Sequence, residues 1–327
     1  MSTPVQAILT GTFTSDGLAR NLSIPSGYTK IELFNITDLG SSAASTPVMM
    51  SWATSSMPIG SGVYALKTNG AATIAIPTTL AANSGGFTFV DDSASVALGA
   101  ALTVTSTTNA TPPVVSLAST AGLANGDVVR YYNSAGQLNI SGYDFTIDTL
   151  VANTSFNLAY MVAPGGAGTG GFVRRVPFDP RYYPVNRYIT SISQAASAVI
   201  VLSVTHGFTV GQKVRIIVPD LYGMVEMDNQ LVTITAINTT TNSITVDIDS
   251  TAFTAFAFPT SAQAALGVNF AQVVPVGEAA INSTAQPFGN LLDDATRNVS
   301  FRGVIIGTAV QTGDKLYQWI AYKATAI

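Results

Sequence analysis

The chain has 327 residues, a net charge of −4 and no cysteine, and only 10% of its residues are charged. The lack of cysteine excludes disulfides, thiolate metal sites and cysteine catalysis. The lack of any basic run excludes the electrostatic footprint of a nucleic-acid-binding protein. Because an average soluble protein has about 25% charged residues, we expect much of this weakly charged surface to be covered by neighbouring molecules.

In the N-terminal third, polar and apolar residues alternate as they do in β-strands with one exposed face. In Tyr28–Ile36, Lys30 and Glu32 face away from Ile31 and Leu33, which predicts a strand with one buried face. Further short strands are predicted at Val48–Trp52, Thr73–Ile76 and Phe87–Val90. Glycine and asparagine separate them, which is typical of a β-sandwich or barrel.

Two stretches in the middle of the chain are near-repeats of one β-module. Each has an apolar strand, two glycines four residues apart, and a Val-Arg pair three residues after the second glycine. The first copy has Val114–Leu117, Gly122, Gly126 and Val129–Arg130, and the second has Val199–Leu202, Gly207, Gly211 and Val214–Arg215. Each copy continues into a predicted hairpin, with strands at Tyr143–Ile147 and Ser155–Leu158 in the first and at Leu231–Ile237 and Ser243–Ile248 in the second. Repeated β-modules are typical of structural proteins rather than of enzymes.

The C-terminal region predicts a helix at Ser261–Leu266, then strands at Asn298–Ile306 and Lys315–Tyr322 joined by a hairpin turn at Thr312–Asp314. The last strand is so apolar that it needs a partner sheet, and the two ends of a domain often lie close together.

The predicted fold is all-β: a jelly-roll-like β-sandwich from both chain ends, with two small inserted β-barrel-like modules. The predicted boundaries are a sandwich at 1–110 completed by 261–327, a first module at 111–163, a Gly-rich linker with an Arg/Tyr/Pro segment at 164–190, and a second module at 191–260.

The Arg/Tyr/Pro segment is the best interaction candidate, because arginine and tyrosine are favoured interface anchors. Its candidate contact residues are Arg174, Arg175, Arg181, Tyr182, Tyr183 and Arg187. The alternative is a domain connector whose aromatic side chains pack locally.

Chemical sites are weakly indicated. Asp247 and Asp249 lie on one strand face and form a candidate Ca²⁺ site; the alternative is a solvated strand face. His206, the sole histidine, has Ala121 at its position in the first module, so we expect it to serve a turn. A serine nucleophile would need a histidine partner, and none of Glu32, Glu226 and Glu278 lies in a motif. We therefore expect no enzymatic activity, no cofactor and no established metal site.

The second module carries a family resemblance. With His206–Phe208, Gly211, Val214–Arg215, Gly223–Met224, Asn229 and Leu231–Ile237, it resembles small β-modules of virion structural proteins of tailed bacteriophages. Those modules look like the first catalytic-cysteine half-domain of ubiquitin-activating enzymes, although a chain without cysteine has no ubiquitin chemistry.

The resemblance implies a homo-oligomeric virion protein that decorates a capsid or belongs to a tail. Its expected partners are copies of itself and other virion proteins, without direct contact to nucleic acid or a membrane. Met1–Gln6 lacks the features of a signal peptide, so assembly is expected in the host cytoplasm. The alternative is a receptor-binding fibre or adhesin module that recognises a host-surface glycan.

Overall fold

The computed structural model describes residues 8–39, 45–68, 70, 73–91, 98–132, 135–177, 187–264, 270–279 and 302–323. The fold is all-β, as the sequence predicts. Within the described residues the helical elements are one α-helical turn and four 3₁₀ turns. They are Ser261–Ala264 (α1) and the 3₁₀ turns Leu138–Ile140, Asp220–Tyr222, Val225–Met227 and Thr308–Val310.

The strands, in chain order, fall into four groups. The first is β1 (Ile8–Ser15), β2 (Arg20–Ser23), β3 (Tyr28–Asn35), β4 (Val48–Thr54), β5 (Gly62–Leu66), β6 (Thr78–Leu80) and β7 (Phe87–Asp91). The second is β8 (Leu102–Thr107), β9 (Val114–Leu117), β10 (Val128–Tyr132), β11 (Asp144–Val151), β12 (Ser155–Leu158), β13 (Gly168–Thr169) and β14 (Phe172–Arg175). The third is β15 (Ile189–Ile192), β16 (Val199–Leu202), β17 (Lys213–Ile217), β18 (Leu231–Asn238), β19 (Ser243–Val246) and β20 (Gln272–Pro275). The last is β21 (Arg302–Ile306) and β22 (Lys315–Lys323).

The chain forms two compact units. The first combines residues 1–93, 275–279 and 301–327, and the second comprises 94–274 with 280–300. Both ends of the chain therefore belong to one unit, and the two β-modules are inserted between them in sequence.

The first unit is a two-sheet sandwich. One sheet has six strands in the order β1-β22-β3-β4-β5-β6, and the other has three in the order β2-β21-β7. Phe13, Leu33 and Trp319 from the larger sheet pack with Leu22 and Val304 from the smaller one, all at most 1% exposed. The last strand is apolar because it lies between β1 and β3, with its buried side chains in this core.

Two local predictions in this unit are wrong. The turn at Thr312–Asp314 does not form a hairpin, because β21 and β22 lie in different sheets and the connection crosses the sandwich. The Gln311 side chain supports this crossing, with its Nε2 donating to the carbonyl oxygens of Leu18 and Gly307. The predicted strand at Thr73–Ile76 is reduced to one bridge between Ile74 and Lys67. Residues 298–301 lie outside the described residues.

The second unit contains two barrels with one strand order. In the first, β8-β9-β12-β11-β10-β14 form a ring that closes where β14 pairs with β8. In the second, β15-β16-β19-β18-β17-β20 follow the same order, and a bridge between Tyr188 and Gln272 joins the two ends. The shared order confirms that the sequence repeat is a structural repeat.

The repeated glycines have a backbone reason. Gly122 and Gly126 have φ of 79° and 89°, and Gly207 and Gly211 have φ of 64° and 84°. Residues other than glycine rarely adopt this left-handed backbone conformation. Both modules therefore have glycine at the two turn positions before their third strand.

The first barrel extends beyond the predicted range 111–163. Its ring includes β8 before that range and β14 after it. The Gly-rich strip between them, expected as a linker, contributes β13, in which Gly168 and Thr169 pair with Thr107 and Ser106 of β8.

Candidate interaction surfaces

Arg174 and Arg175, at the end of β14, both contact their own barrel. The Arg174 guanidinium lies 5.6 Å from the Phe172 ring centroid, and its Nη1 donates to the Gly99 carbonyl at 3.2 Å. The half-exposed Arg175 pairs with Asp127 at 3.0 Å, and such exposed pairs contribute little stability. These contacts orient the two side chains.

Arg187 precedes the second barrel. Its guanidinium lies 5.0 Å from the Phe208 ring centroid, a cation–π contact, and its Nε donates to the His206 carbonyl at 3.5 Å. Arg181, Tyr182 and Tyr183 lie outside the described residues. The predicted role of all six residues in an interface stays a prediction.

His206 is built into a turn. Its Nδ1 accepts the backbone N–H of Phe208 at 2.9 Å, and its ring stacks on Phe208 with 5.4 Å between centroids. Burial, and then the charge of Arg187, lower the pKa of His206 to about 4. The ring is therefore neutral at pH 7 and acts as an acceptor, in agreement with the expected turn role.

Asp247 and Asp249, the candidate calcium ligands, each accept a backbone N–H of another residue in the second barrel. Asp247 accepts the N–H of Thr233 at 2.6 Å and Asp249 that of Thr251 at 2.9 Å. The backbone of Thr233 lowers the pKa of Asp247, and the side chain and then the backbone of Thr251 lower that of Asp249. No group of three or more His, Asp or Glu side chains that could hold a metal ion occurs within the described ranges.

Sequence reasoning missed a buried ion pair in the first barrel. The Arg130 Nε and Nη2 atoms donate to the two carboxylate oxygens of Asp144 at 2.6 and 3.0 Å. The side chains are 7% and 4% exposed. Burial alone would lower the pKa of Arg130, but the Asp144 carboxylate raises it well above its ordinary value. The repeated Val-Arg pair was a signal for Arg130, whereas nothing local marked Asp144.

Aromatic side chains join the two barrels. Tyr143 of the first barrel contacts Tyr188 at 5.0 Å and Phe270 at 4.4 Å between centroids. Its hydroxyl shares a hydrogen bond with that of Tyr222 in the second barrel. Burial is the first cause of the raised pKa values of Tyr143 and Tyr222. The seam is therefore buried, with Tyr143 and Tyr222 both 0% exposed, and it joins the two barrels.

We call the side of the six-stranded sheet that faces away from the sandwich core the outer face. Its side chains form a regular grid. Its side chains come from alternate positions of β1, β22, β3 and β4, which the strand registers align in three rows. The rows are Ile8–Tyr322–Lys30–Thr54, Thr10–Ile320–Glu32–Trp52 and Thr12–Gln318–Phe34–Met50. All twelve are half-buried or exposed, whereas the positions between them on β3 and β22 are buried.

The charges of the outer face neutralise each other. Lys30 Nζ lies 2.6 Å from the Glu32 carboxylate, and Tyr322 donates its hydroxyl to that carboxylate at 2.7 Å. Lys30 also lies 5.9 Å from the Trp52 ring centroid and 5.2 Å from that of Tyr322. Partial burial opposes the charge of Glu32, but the hydrogen bonds from Lys30 and Tyr322 outweigh it and lower its pKa.

A small pocket opens within the first unit, here the end pocket. It has a volume of about 210 Å³. Tyr28 and Phe89 supply aromatic surface, and Ser26, Thr29 and Ser55 supply hydroxyl-bearing residues. The remaining lining residues are Ile24, Pro25, Gly27, Val90 and Gly303.

No protein-family model matches the sequence, and no curated protein matches it closely enough to count as a relative. In the part of the chain that the structure describes, no helix is long and apolar enough to cross a membrane.

Proposed function

We propose that the chain is a non-enzymatic structural component of a tailed-bacteriophage particle, assembling through contacts between β-domains on the capsid or tail. The observation that carries the proposal is the duplicated barrel. The residues that resemble the phage modules fold into one of two barrels with the same strand order.

The seam between the barrels supports a mechanical role. Tyr143, Tyr188, Tyr222 and Phe270 are all at most 2% exposed, and their rings and hydroxyls bind the barrels into one body. Buried aromatic pairs contribute about 0.5–1.5 kcal/mol each beyond their area. A rigid pair of barrels is suited to transmitting load between neighbours.

Assembly is tested by the solution mass of the purified chain, measured by light scattering over a dilution series. We expect an oligomer of fixed mass that persists on dilution, because a chain with only 10% charged residues has few charges to protect its surface against association. A monomer at every concentration would overturn the proposed assembly with copies of itself.

The proposed location in the virion is tested on particles of the phage that encodes the chain. The particles are purified from the infected host on a density gradient. Quantitative mass spectrometry is expected to find the chain at a fixed ratio to the major capsid protein. Its absence from the particles would overturn the virion assignment even if the purified chain assembles. Arg174, Arg175 and Arg187 are the proposed particle contacts within the described residues.

The end pocket favours a second candidate function, recognition of a host-surface glycan. Sugar rings bind aromatic surface and hydroxyl groups, and Tyr28 and Phe89 present both kinds of contact together with Ser26, Thr29 and Ser55. A glycan array with the unaltered chain and Tyr28→Ala tests this function. Binding lost in the variant supports it, and an array without binding by the unaltered chain refutes it.

A further inference from the structure

We propose that the outer face of the six-stranded sheet is the surface on which a second copy of this chain docks. The inference rests on the proposed function, since it identifies the surface through which copies assemble. Three properties of the grid carry it: composition, charge and area.

The composition is that of an interface core. Phe34, Met50, Trp52, Ile320 and Tyr322 all lie on the outer face. Each is half-buried within its own chain, so part of every side chain is left for a neighbour. Aromatic residues and methionine are enriched at protein interfaces, and tryptophan and tyrosine are the commonest energetic anchors.

The charge favours a second copy over a charged partner. Lys30 and Glu32 are the two charged side chains of the grid, and they pair with each other at 2.6 Å. The face therefore carries no net charge and does not repel its own image. A two-fold axis near this pair would place the Lys30 of each copy opposite the Glu32 of the other, because a two-fold interface brings the same patch of both subunits together.

The two charged groups and the tyrosine hydroxyl of the grid already have partners. Tyr322 donates its hydroxyl to Glu32 at 2.7 Å, and Lys30 binds Glu32 and the rings of Trp52 and Tyr322. Removing water from a polar group costs most when the group is left without a hydrogen-bond partner. This cluster keeps its partners when water is removed from the face.

The grid has the area of the central part of a specific interface. Its four strands lie about 4.8 Å apart and each contributes five residues of about 3.3 Å, which gives on the order of 300 Å². A standard protein interface buries roughly 800 Å² per partner, so the residues around the grid would supply the rim. Two such faces would stack about 10 Å apart, as sheets do within a sandwich.

The test compares three variants with the unaltered chain by sedimentation velocity over a dilution series. Trp52→Lys removes an anchor and adds a charge to the middle row of the grid. Thr10→Lys adds a charge to an exposed position of the same row without removing a ring. Leu231→Lys is the matched control, because Leu231 is 69% exposed on the second barrel. Circular dichroism checks that each variant is folded.

We expect Trp52→Lys to raise the dissociation constant at least about 100-fold, since the loss occurs twice in a two-fold contact. Thr10→Lys is expected to raise it about 10-fold, and Leu231→Lys to leave it within about 2-fold. In the unaltered chain, association should also protect Trp52 from acrylamide quenching, whereas Trp319, 1% exposed, stays protected throughout.

The failures are distinguishable. An unaltered chain that stays monomeric overturns both this interface and the proposed self-assembly. An unaltered chain that assembles while Trp52→Lys and Thr10→Lys assemble equally well overturns the interface alone. Assembly that leaves the quenching of Trp52 unchanged likewise overturns the interface and leaves self-assembly standing.

Discussion

Arg130 and Asp144 face each other across β10 and β11 and form a two-point ion pair inside the first barrel. At the matching position of the second barrel, Arg215 stands opposite Leu231, so the repeat has kept the arginine and not the acid. One barrel thus contains a buried charge pair that the other folds without.

Breaking the Arg130–Asp144 pair should destabilise the fold strongly, whereas replacing both residues by apolar ones should change its stability little. Asp144→Asn is expected to lower the free energy of unfolding by about 3–5 kcal/mol, because it leaves the Arg130 charge buried without its counter-charge. The double variant Arg130→Met with Asp144→Leu is expected within about 1 kcal/mol of the unaltered chain, since apolar replacement of a buried pair is often neutral. Urea denaturation measures both.

Arg215→Met is the matched control for this prediction. Arg215 occupies the same place in the repeat but is only partly buried, so the change should stay within about 0.5 kcal/mol. A loss below about 1 kcal/mol for Asp144→Asn would show that the ion pair is not needed in the first barrel.

His206 should make stability fall in mild acid. Its pKa is about 4 in the folded chain, against about 6.5 in an unfolded one. The unfolded state therefore binds the extra proton between these values, and stability is lost as the pH falls from about 6.5 to 4. The loss is expected to reach about 2 kcal/mol, after allowing for solvent at the edge of the ring.

His206→Asn isolates this effect. An asparagine oxygen can accept the Phe208 N–H in place of Nδ1, as asparagine commonly does in turns, and it does not titrate. The difference in unfolding free energy between the two proteins should change with pH from 7 to 4. Parallel stability curves over that range would contradict the assignment.

Local features could be predicted from the sequence. The alternation in β3 places Ile31 and Leu33 inside and Lys30 and Glu32 outside, as observed, and the paired glycines mark the repeated turns. The sheet membership of β21 and β22 could not be predicted, since a turn signal does not say whether the chain returns in the same sheet or crosses to the other.

The grid on the outer face could not be predicted from the sequence for the same reason. Trp52, Glu32 and Ile320 form one row, yet Ile320 lies almost the length of the chain away from the other two. Alternation indicates that each side chain points outward, but only the pairing of β22 with β3 brings them together. That pairing depends on burial of apolar area across the sandwich, which no short window contains.

The hydroxyl bond across the barrel seam should be asymmetric. Tyr222 has a second polar neighbour, since the backbone of Ala271 acts on its hydroxyl and lowers its pKa. Tyr222→Phe removes the partner of the Tyr143 hydroxyl, and an unsatisfied buried polar group costs about 1–3 kcal/mol. Tyr143→Phe leaves Tyr222 with Ala271 and should cost less.

A double-mutant cycle measures this coupling. The double variant Tyr143→Phe with Tyr222→Phe removes both hydroxyls and should be no less stable than Tyr222→Phe alone, which gives a coupling energy at least as large as the cost of Tyr143→Phe. Equal, additive losses would contradict a shared hydrogen bond in the seam.

Gly277 lies where the chain re-enters the sandwich, and it should tolerate no side chain. Its φ is 91°, and an added Cβ would overlap the Thr10 carbonyl oxygen and lie 2.8 Å from the Trp319 ring. Gly277→Ala is expected to cost more than about 3 kcal/mol, because strain of about 1–2 kcal/mol adds to a clash with rigid neighbours. Gly122→Ala separates the two effects, since Gly122 has φ of 79° and open space around it. It should cost only about 1–2 kcal/mol in thermal or urea unfolding, and equal losses for both variants would show that the close approach to Thr10 and Trp319 does not constrain the chain.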